Sequence, residues 1–333
     1  MEENQVTQKS LARVEAERLV KEFPDTDSRT LARRIAKDFF LSMETARSMI
    51  RYVRGAHGNN RRKHQVVVRP LGKSGQKPKL PPSQCAPWEP FRCDGRRVLI
   101  LSDIHIPYHD STAISGAIAW GQKQNIDTII LNGDTIDFYS LSRFLKDPRK
   151  RSAKGEIDLT KQFLEYLAAE FPHVQIIYKK GNHDERWDHY LWNHAPELCD
   201  FEHVQLHTIL GFDESGIIMV EDQRPIMCGK LPVFHGHELP KGMTNPVNMA
   251  RGAYLRMADT VLVGHGHRTS AHSEPNWKHE EVATWSTGCL CGLNPEYARI
   301  NKWNHGFAFV EVGKGGEFDL LNLRVVNGKV RRS

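Results

Sequence analysis

The sequence predicts an α/β protein: mixed sheets packed together with helices outside, preceded by a small all-α N-terminal domain. Three observations carry this. From Arg96 onward, apolar runs of strand length alternate with helical patterns and then give way to a strand-rich second half. Five of those runs land on Asp, Asn or His. Residues 1–55 instead show helical spacing and excess positive charge.

At 333 residues, 39% hydrophobic and 26% charged, the chain can build one large core and a small one. No apolar run approaches the roughly 20 residues a transmembrane helix needs. The N-terminal residues, rich in Glu, Gln, Arg and Lys, do not read as a secretory signal. A cytoplasmic location and no membrane partner are therefore expected. Six cysteines, at 85, 93, 199, 228, 289 and 291, lack C-x-x-C spacing. Reduced thiols are the expectation, ahead of a thiolate metal site at Cys289 and Cys291. The net charge of +6 is uneven: residues 1–80 hold 18 Lys/Arg and 9 Asp/Glu (+9), the remainder 28 and 31 (−3). A polyanionic partner belongs with the N-terminal quarter.

Residues 7–22 read as a first helix with Leu11, Val14, Leu19 and Val20 on one side. Pro24 and Asp25-Thr26-Asp27-Ser28 interrupt it, and a second helix runs from Arg29 to Phe39. Ser42 caps a third that ends before Gly55, with Met43, Ala46, Ile50 and Val53 as its apolar seam. Arg47, Arg51 and Arg54 form a basic stripe beside that seam. The pair at 28–55 resembles a helix-turn-helix, which would place its second helix in a DNA major groove; a protein-docking module is the alternative. Residues 56–95 read as a Gly/Pro-rich basic linker with a possible short strand at Val66-Val67-Val68. The linker either tracks phosphates or acts as a solubilising tether.

The catalytic region is taken as 96–333. Strands are expected at Val98–Leu101, Thr128–Leu131, Val174–Tyr178, Ile217–Val220, Ile226–Cys228, Val233–Phe234, Val261–Val263, Val282–Trp285, Phe307–Val312 and Phe318–Val325. Helices are expected at Ser111–Gln124, Ile157–Phe171 and Asp184–Leu198. The strand ends carry Asp103 and His105, Asp134 and Asp137, Asn182-His183-Asp184, His235, and His265 with His267. Asp103 and His105, like His265 and His267, are spaced i and i+2, so they share a face if strand geometry continues. Carboxylate, imidazole and amide oxygen suit Mn, Fe, Zn or Ni. Seven ligands from among these ten residues exceed one tetrahedral ion and match two ions sharing a carboxylate, the arrangement that clamps both oxygens of a phosphoryl displacement.

The series Asp103-x-His105, Gly133-Asp134-x-x-Asp137, Gly181-Asn182-His183-Asp184, His235 and Gly264-His265-x-His267 resembles the calcineurin-like metallophosphoesterases over about residues 96–270. The resemblance implies a β-sandwich of two mixed sheets flanked by helices. It implies one divalent ion on Asp103, His105, Asp134 and His267, and a second on Asp134, Asn182, His235 and His265, with manganese the first expectation. It further implies a bridging hydroxide as nucleophile, His183 as general acid and Asp137 as the group that orients it.

Phosphoprotein phosphatases of that superfamily carry Arg-Gly where this chain has Phe138-Tyr139, and Glu where it has Asp184. Gly-Asn-His-Asp is shared with DNA-repair nucleases and many phosphodiesterases. The fuller segments 102–110 and 133–140 look most like bacterial and phage-encoded members, for which the resemblance supplies no substrate. A phosphodiesterase or nuclease recruited to nucleic acid by its basic N-terminal module is the leading expectation. A phosphomonoesterase on a nucleotide or small metabolite, and a DNA-binding regulator with a structural metal site, are the alternatives. Arg143, Lys146, Arg149, Lys150, Arg151 and Lys154 could rim a phosphate path. Trp285, Tyr297, Trp303 and His305 could offer a stacking surface.

Overall fold

Three helices, α1 (Glu2–Glu22), α2 (Ser28–Asp38) and α3 (Met43–Val53), make the N-terminal unit. The computed structural model describes residues 2–55, 80–145, 147, 149, 152–240 and 247–332. The expected strand at 66–68, most of the basic linker, and Lys146, Lys150 and Arg151 lie outside the described residues. Asp27 caps α2 by accepting the Arg29 and Thr30 N–H groups at 2.9 and 3.1 Å, and Ser42 caps α3 through Thr45 at 3.1 Å. The core of this unit is Ala12, Ala16, Leu19, Leu31, Ile35, Ala46, Met49 and Ile50.

Two expectations for this unit are corrected. Leu11 and Val14 are 56% and 65% exposed, because burial on α1 follows Ala12, Ala16 and Leu19 at i, i+4, i+7. Met43 is likewise exposed and Met49 occupies the core. The basic stripe is also divided. Arg54 is half-buried and donates to Ser28 Oγ at 2.9 Å, to the Pro24 carbonyl at 3.2 Å and to the Thr26 carbonyl. It ties the end of α3 to the turn between α1 and α2. Arg47 and Arg51 stay exposed.

In chain order the strands of the second unit are β1 (Phe91–Cys93), β2 (Arg97–Leu101), β3 (Thr128–Asn132), β4 (Gln175–Lys179), β5 (Ile218–Val220), β6 (Ile226–Cys228), β7 (Leu231–Phe234), β8 (Val261–Val263), β9 (Ser270–Pro275), β10 (Glu281–Ser286), β11 (Gly306–Val312), β12 (Phe318–Val326) and β13 (Lys329–Arg332). Its helices are α4 (Ser111–Gly121), α5 (Ala153–Glu170), α6 (Arg186–His194), α7 (Leu206–Leu210), α8 (Phe212–Ser215) and α9 (Met249–Met257). One sheet runs β13-β12-β11-β2-β3-β4-β5, parallel from β2 to β5 and antiparallel beyond β2. The other runs β1-β6-β7-β8-β10-β9 and is also mixed.

Alternation along β2 explains the layering. Val98 and Ile100 face the second sheet, in a core with Ile226, Leu231, Val233 and Leu262. Leu99 and Leu101 face outward into a core with Ile114 and Ile118 of α4 and Leu164 and Leu167 of α5. On the far side, Ala253 of α9 packs with Val261 and Val263. Two mixed sheets flanked by helices are therefore present, as expected. Strands β1, β9 and β13 and helices α7, α8 and α9 had no counterpart in the sequence reading. β1 has three residues and lies within the stretch read as linker; β9 is mostly polar. For α9 a signal was available: Asn248 caps it by accepting the Arg251 N–H at 3.0 Å. Helix α6 is shorter than expected because residues 184 and 185 belong to a loop and a separate turn begins at Pro196.

The architecture brings the loops after β2, β3 and β4 together with those after β7 and β8, and these loops carry the Asp, Asn and His motifs. Glu156 of α5 braces the segment after β3 by accepting the Tyr139 and Ser140 N–H groups at 2.9 and 3.3 Å.

Two outcomes follow from these contacts. Arg54→Ala should cost the N-terminal unit about 1–3 kcal/mol through lost hydrogen bonds to carbonyls, read as reduced hydrogen-exchange protection in α1 to α3. Burial raises the Glu156 carboxyl from 4.5 to about 7. A raised folded-state value stabilises the fold while the proton is on, so the contribution is complete below pH 4.5 and lost as pH rises through about 7. Glu156→Gln should remove that slope, so its thermal midpoint should gain on the wild type between about pH 5 and about pH 8.

Candidate metal centre

Asp103, His105, Asp134, His265 and His267 all sit at left-handed φ, between 53° and 59°. This backbone state is uncommon for residues with a Cβ and is held only where surrounding contacts impose it. The i, i+2 pairs therefore converge through left-handed turns after the strands stop, and not by continued strand alternation. Glycine is required beside them. Gly133 has φ +83°, and a Cβ there would lie 2.4 Å from His235 Nδ1. A Cβ on Gly181 would lie 2.3 Å from Asp134 Oδ1.

Asp184 joins the two central loops. Its fully buried carboxylate accepts the N–H groups of Asp134 and Gly181, each at 2.7 Å, and the Tyr178 hydroxyl at 2.5 Å. Burial and the neighbouring Asp134 charge raise its pKa to about 6. A second buried acid, Glu238, accepts the N–H groups of His235 and Gly236 at 2.9 and 2.6 Å, with the buried Lys179 ammonium 3.1 Å away. Neither Glu238 nor Lys179 had been singled out from the sequence.

Within this frame the structure gathers the candidate ligands. Asp103, His105 and Asp134 form one group whose donor atoms lie within 4.8 Å of one another; Asp134, His235 and His265 form another. Asp134 is common to both, with its Oδ2 3.7 Å from His105 Nε2 and 3.3 Å from His235 Nε2. Nε2 of His267 lies 3.0 Å from Asp103 Oδ1. Four buried atoms at the site make no well-aligned hydrogen bond among the described residues: Asn182 Oδ1, His105 Nε2, and Asp103 Oδ1 and His235 Nε2, whose neighbours are the charged partners His267 and Asp134. Buried polar atoms left so are costly in a fold unless something else completes them. All four belong to the donor set expected for two divalent ions, so the residues present fit such ions.

The imidazoles are also oriented for this. His105 gives its Nδ1 proton to Asp137 Oδ1 at 2.8 Å, and His235 gives its Nδ1 proton to the Asn132 carbonyl at 2.8 Å. Each then turns an Nε2 lone pair inward. The Cys291 thiol lies 3.8 Å from His267 Nδ1, while Cys289 Sγ faces backbone carbonyls. All six cysteines are free.

His183 stands beside this group. Its Nδ1 lies 3.0 Å from both Asp137 Oδ1 and the Asp137 carbonyl, so Asp137 holds two imidazoles, His105 and His183. Burial opposes a charge on His183, but Asp134 and Asp137 outweigh it and raise its pKa, with Arg186 pulling the other way. Arg186 is the residue most plainly missed from the sequence. Its Nη2 lies 3.0 Å from His183 Nε2 and its Nη1 donates to the Asp137 carbonyl at 2.8 Å. The available signal was a cation three residues after His183, at the start of a helix. His237 is not part of the donor groups; it lies 3.2 Å from Glu185. Of the expected basic rim, Arg149 and Lys154 pair with Asp147 and Asp158 at 2.7 and 2.5 Å, and Arg143 lies over the Phe144 ring.

Two mixed sheets whose strand-end loops gather carboxylates, imidazoles and one carboxamide define a metal-dependent phosphoesterase. The calcineurin-like phosphoesterase profile matches residues 96–297, and the chain belongs to that family. It is thereby a metal-dependent phosphoester hydrolase. The Gene 54 proteins of Mycobacterium phages L5 and D29 are each 26% identical to it, over 65% of this chain and 89% of theirs. Among solved structures, Vps29 from Entamoeba histolytica aligns at TM-score 0.38 and 16% identity, covering 71% of this chain and 97% of its own. Vps29 from Cryptosporidium parvum aligns at 0.37 and 16%, covering 72% and 96%. Among the described residues no helix is long and apolar enough to cross a membrane.

Asp184→Ala would strand the buried N–H groups of Asp134, Gly181 and Ile136 and the Tyr178 hydroxyl, and should cost at least about 3 kcal/mol in urea unfolding of the metal-free protein. Gly181→Ala should instead lower metal affinity, measured by calorimetry, because the new methyl displaces Asp134.

Proposed function

We propose that this chain is a two-metal phosphodiesterase acting on nucleic acid, with one divalent ion held by Asp103, His105, Asp134 and His267 and the other by Asp134, Asn182, His235 and His265. The observation that carries the reading is the set of four orphaned donor atoms around Asp134. Two such cations, manganese first among the candidates, would supply Lewis acidity to the phosphoryl group and lower the pKa of a water.

The chain's own residues then have distinct tasks. His183, whose Nε2 accepts from Arg186 in this structure, would give a proton to the leaving oxygen from Nε2 once Arg186 turns to the phosphoryl group, while Asp137 holds Nδ1 and keeps the ring turned. Arg186, 3.0 Å from that Nε2, offers a guanidinium to a phosphoryl oxygen arriving between them. Asp184 and Glu238 keep the loops at the spacing these contacts need. The N-terminal unit recruits the substrate through Arg47 and Arg51, which are exposed on α3, and through the basic segment that follows. Gly-Asn-His-Asp and the +9 charge of residues 1–80 favour a nucleic-acid diester over a small monoester.

Metal-depleted protein should regain hydrolysis of bis-p-nitrophenyl phosphate on adding Mn²⁺; failure to do so would falsify the diesterase assignment, and faster turnover of p-nitrophenyl phosphate would favour a monoesterase. His183→Ala should lower kcat by about 10²- to 10⁴-fold with metal content unchanged. Asp137→Asn should lower both, since it releases His105 as well. Replacing Arg47 and Arg51 by Ala should reduce DNA affinity and lower its salt slope by about 2; unchanged binding removes the recruitment role.

A further inference from the structure

Beside the metal centre lies a cavity of about 360 Å³ that the mechanism above does not use. Its inner wall includes His105 and Asp137, and four aromatic side chains line it: Tyr108, Tyr139, Tyr297 and Trp303. The rings form two pairs. Tyr108 and Tyr139 meet edge to face at 6.0 Å, and Tyr297 and Trp303 do so at 6.1 Å. Trp303 in turn lies 4.1 Å from the His267 ring, so aromatic surface runs unbroken from a candidate metal ligand to the cavity mouth.

These rings are not ordinary core. Tyr297 is 68% exposed and Tyr108 41% exposed. By contrast Trp285, raised as a stacking candidate on sequence grounds, packs against the sheet core at 6.1 Å from Phe318. His305 is held by the Cys291 carbonyl at 2.9 Å. Aromatic faces left open beside a phosphoryl site suit a flat, apolar-faced group joined to the phosphate. Glu296 and Arg299 add an acceptor and donors to the lining, as the edge of such a group would need. The volume sits at the small end of ligand pockets, enough for one nucleoside and not for a base pair.

We propose that this cavity receives a single unpaired nucleobase of the substrate, so that the scissile phosphate is presented from a single strand or a frayed end. The proposal rests on the nucleic-acid reading above and narrows it. Tyr297 is a binding residue whose loss lowers affinity for the base without touching the donor set.

The test is calorimetric titration of the Mn²⁺-loaded full chain with three phosphonates that phosphoesterases cannot cleave. These are the 5′-methylenephosphonate of adenosine, its base-free ribose counterpart, and benzylphosphonate. The base-bearing compound should bind roughly 5- to 150-fold more tightly than the base-free one, the range expected for stacking one base. Tyr297→Ala should remove most of that ratio and Tyr297→Phe should keep it. Equal affinity with and without the base overturns the proposal, as does benzylphosphonate binding as well as the nucleoside, or a ratio untouched in Tyr297→Ala. Diester hydrolysis is scored separately on bis-p-nitrophenyl phosphate, so a cavity indifferent to the base leaves the diesterase reading standing.

Discussion

The two central loops of the site depend on one fully buried carboxylate. Asp184 reaches back from the loop after β4 to the loop after β3 and accepts an N–H from each, while Tyr178 closes its other oxygen. The two loops are thereby locked at a single separation. Asp134 on one and Asn182 and His183 on the other have no independent freedom to drift apart. His183 N–H donating to Asp134 Oδ1 at 2.8 Å adds a second tie in the opposite sense. A longer acid would need a different loop spacing. The Asp at this position therefore bears on loop geometry.

Around that lock the chain stores strain where donors must converge. Five candidate ligands occupy left-handed backbone, and the peptide ladders of β2, β3 and β8 provide the rigidity that holds them there. The electrostatics match. Asp103 and Asp134 are buried carboxylates kept well below the usual range by surrounding imidazoles, His267 foremost for Asp103 and His235 foremost for Asp134, against a burial cost that pushes them up. Such a cluster is poorly satisfied by itself, as its orphaned atoms show, and is well suited to cations.

Much of this was legible in the sequence because strand-end motifs combine two local signals, an apolar run and a ligand type. Strand β8 was read to the residue on that basis, and β6 from its apolar run alone. The strands that escaped reading had no strong local signal of their own. β1 is three residues long and exists only because β6 offers it a partner; β9 is polar and depends on β10. On α1 the large residues Leu11 and Val14 outweighed the alanines in any reading by size, although it is Ala12 and Ala16, in line with Leu19, that face the other helices. Asp184, Glu238 and Arg186 were visible as residues but not as contacts. Their partners lie in other loops, and sequence spacing does not reveal which loops the sheets bring together.

The four outermost strands have a consequence for how the catalytic unit meets its neighbours. β1 and β5 have three residues each, β9 ends in Pro275, and β13 reads Lys-Val-Arg-Arg with its cations exposed. Short length, proline and positive charge each deny an incoming strand a template. Among the described residues, the thirteen strands of the sandwich therefore present poor edges for β-addition and for the aggregation that begins there.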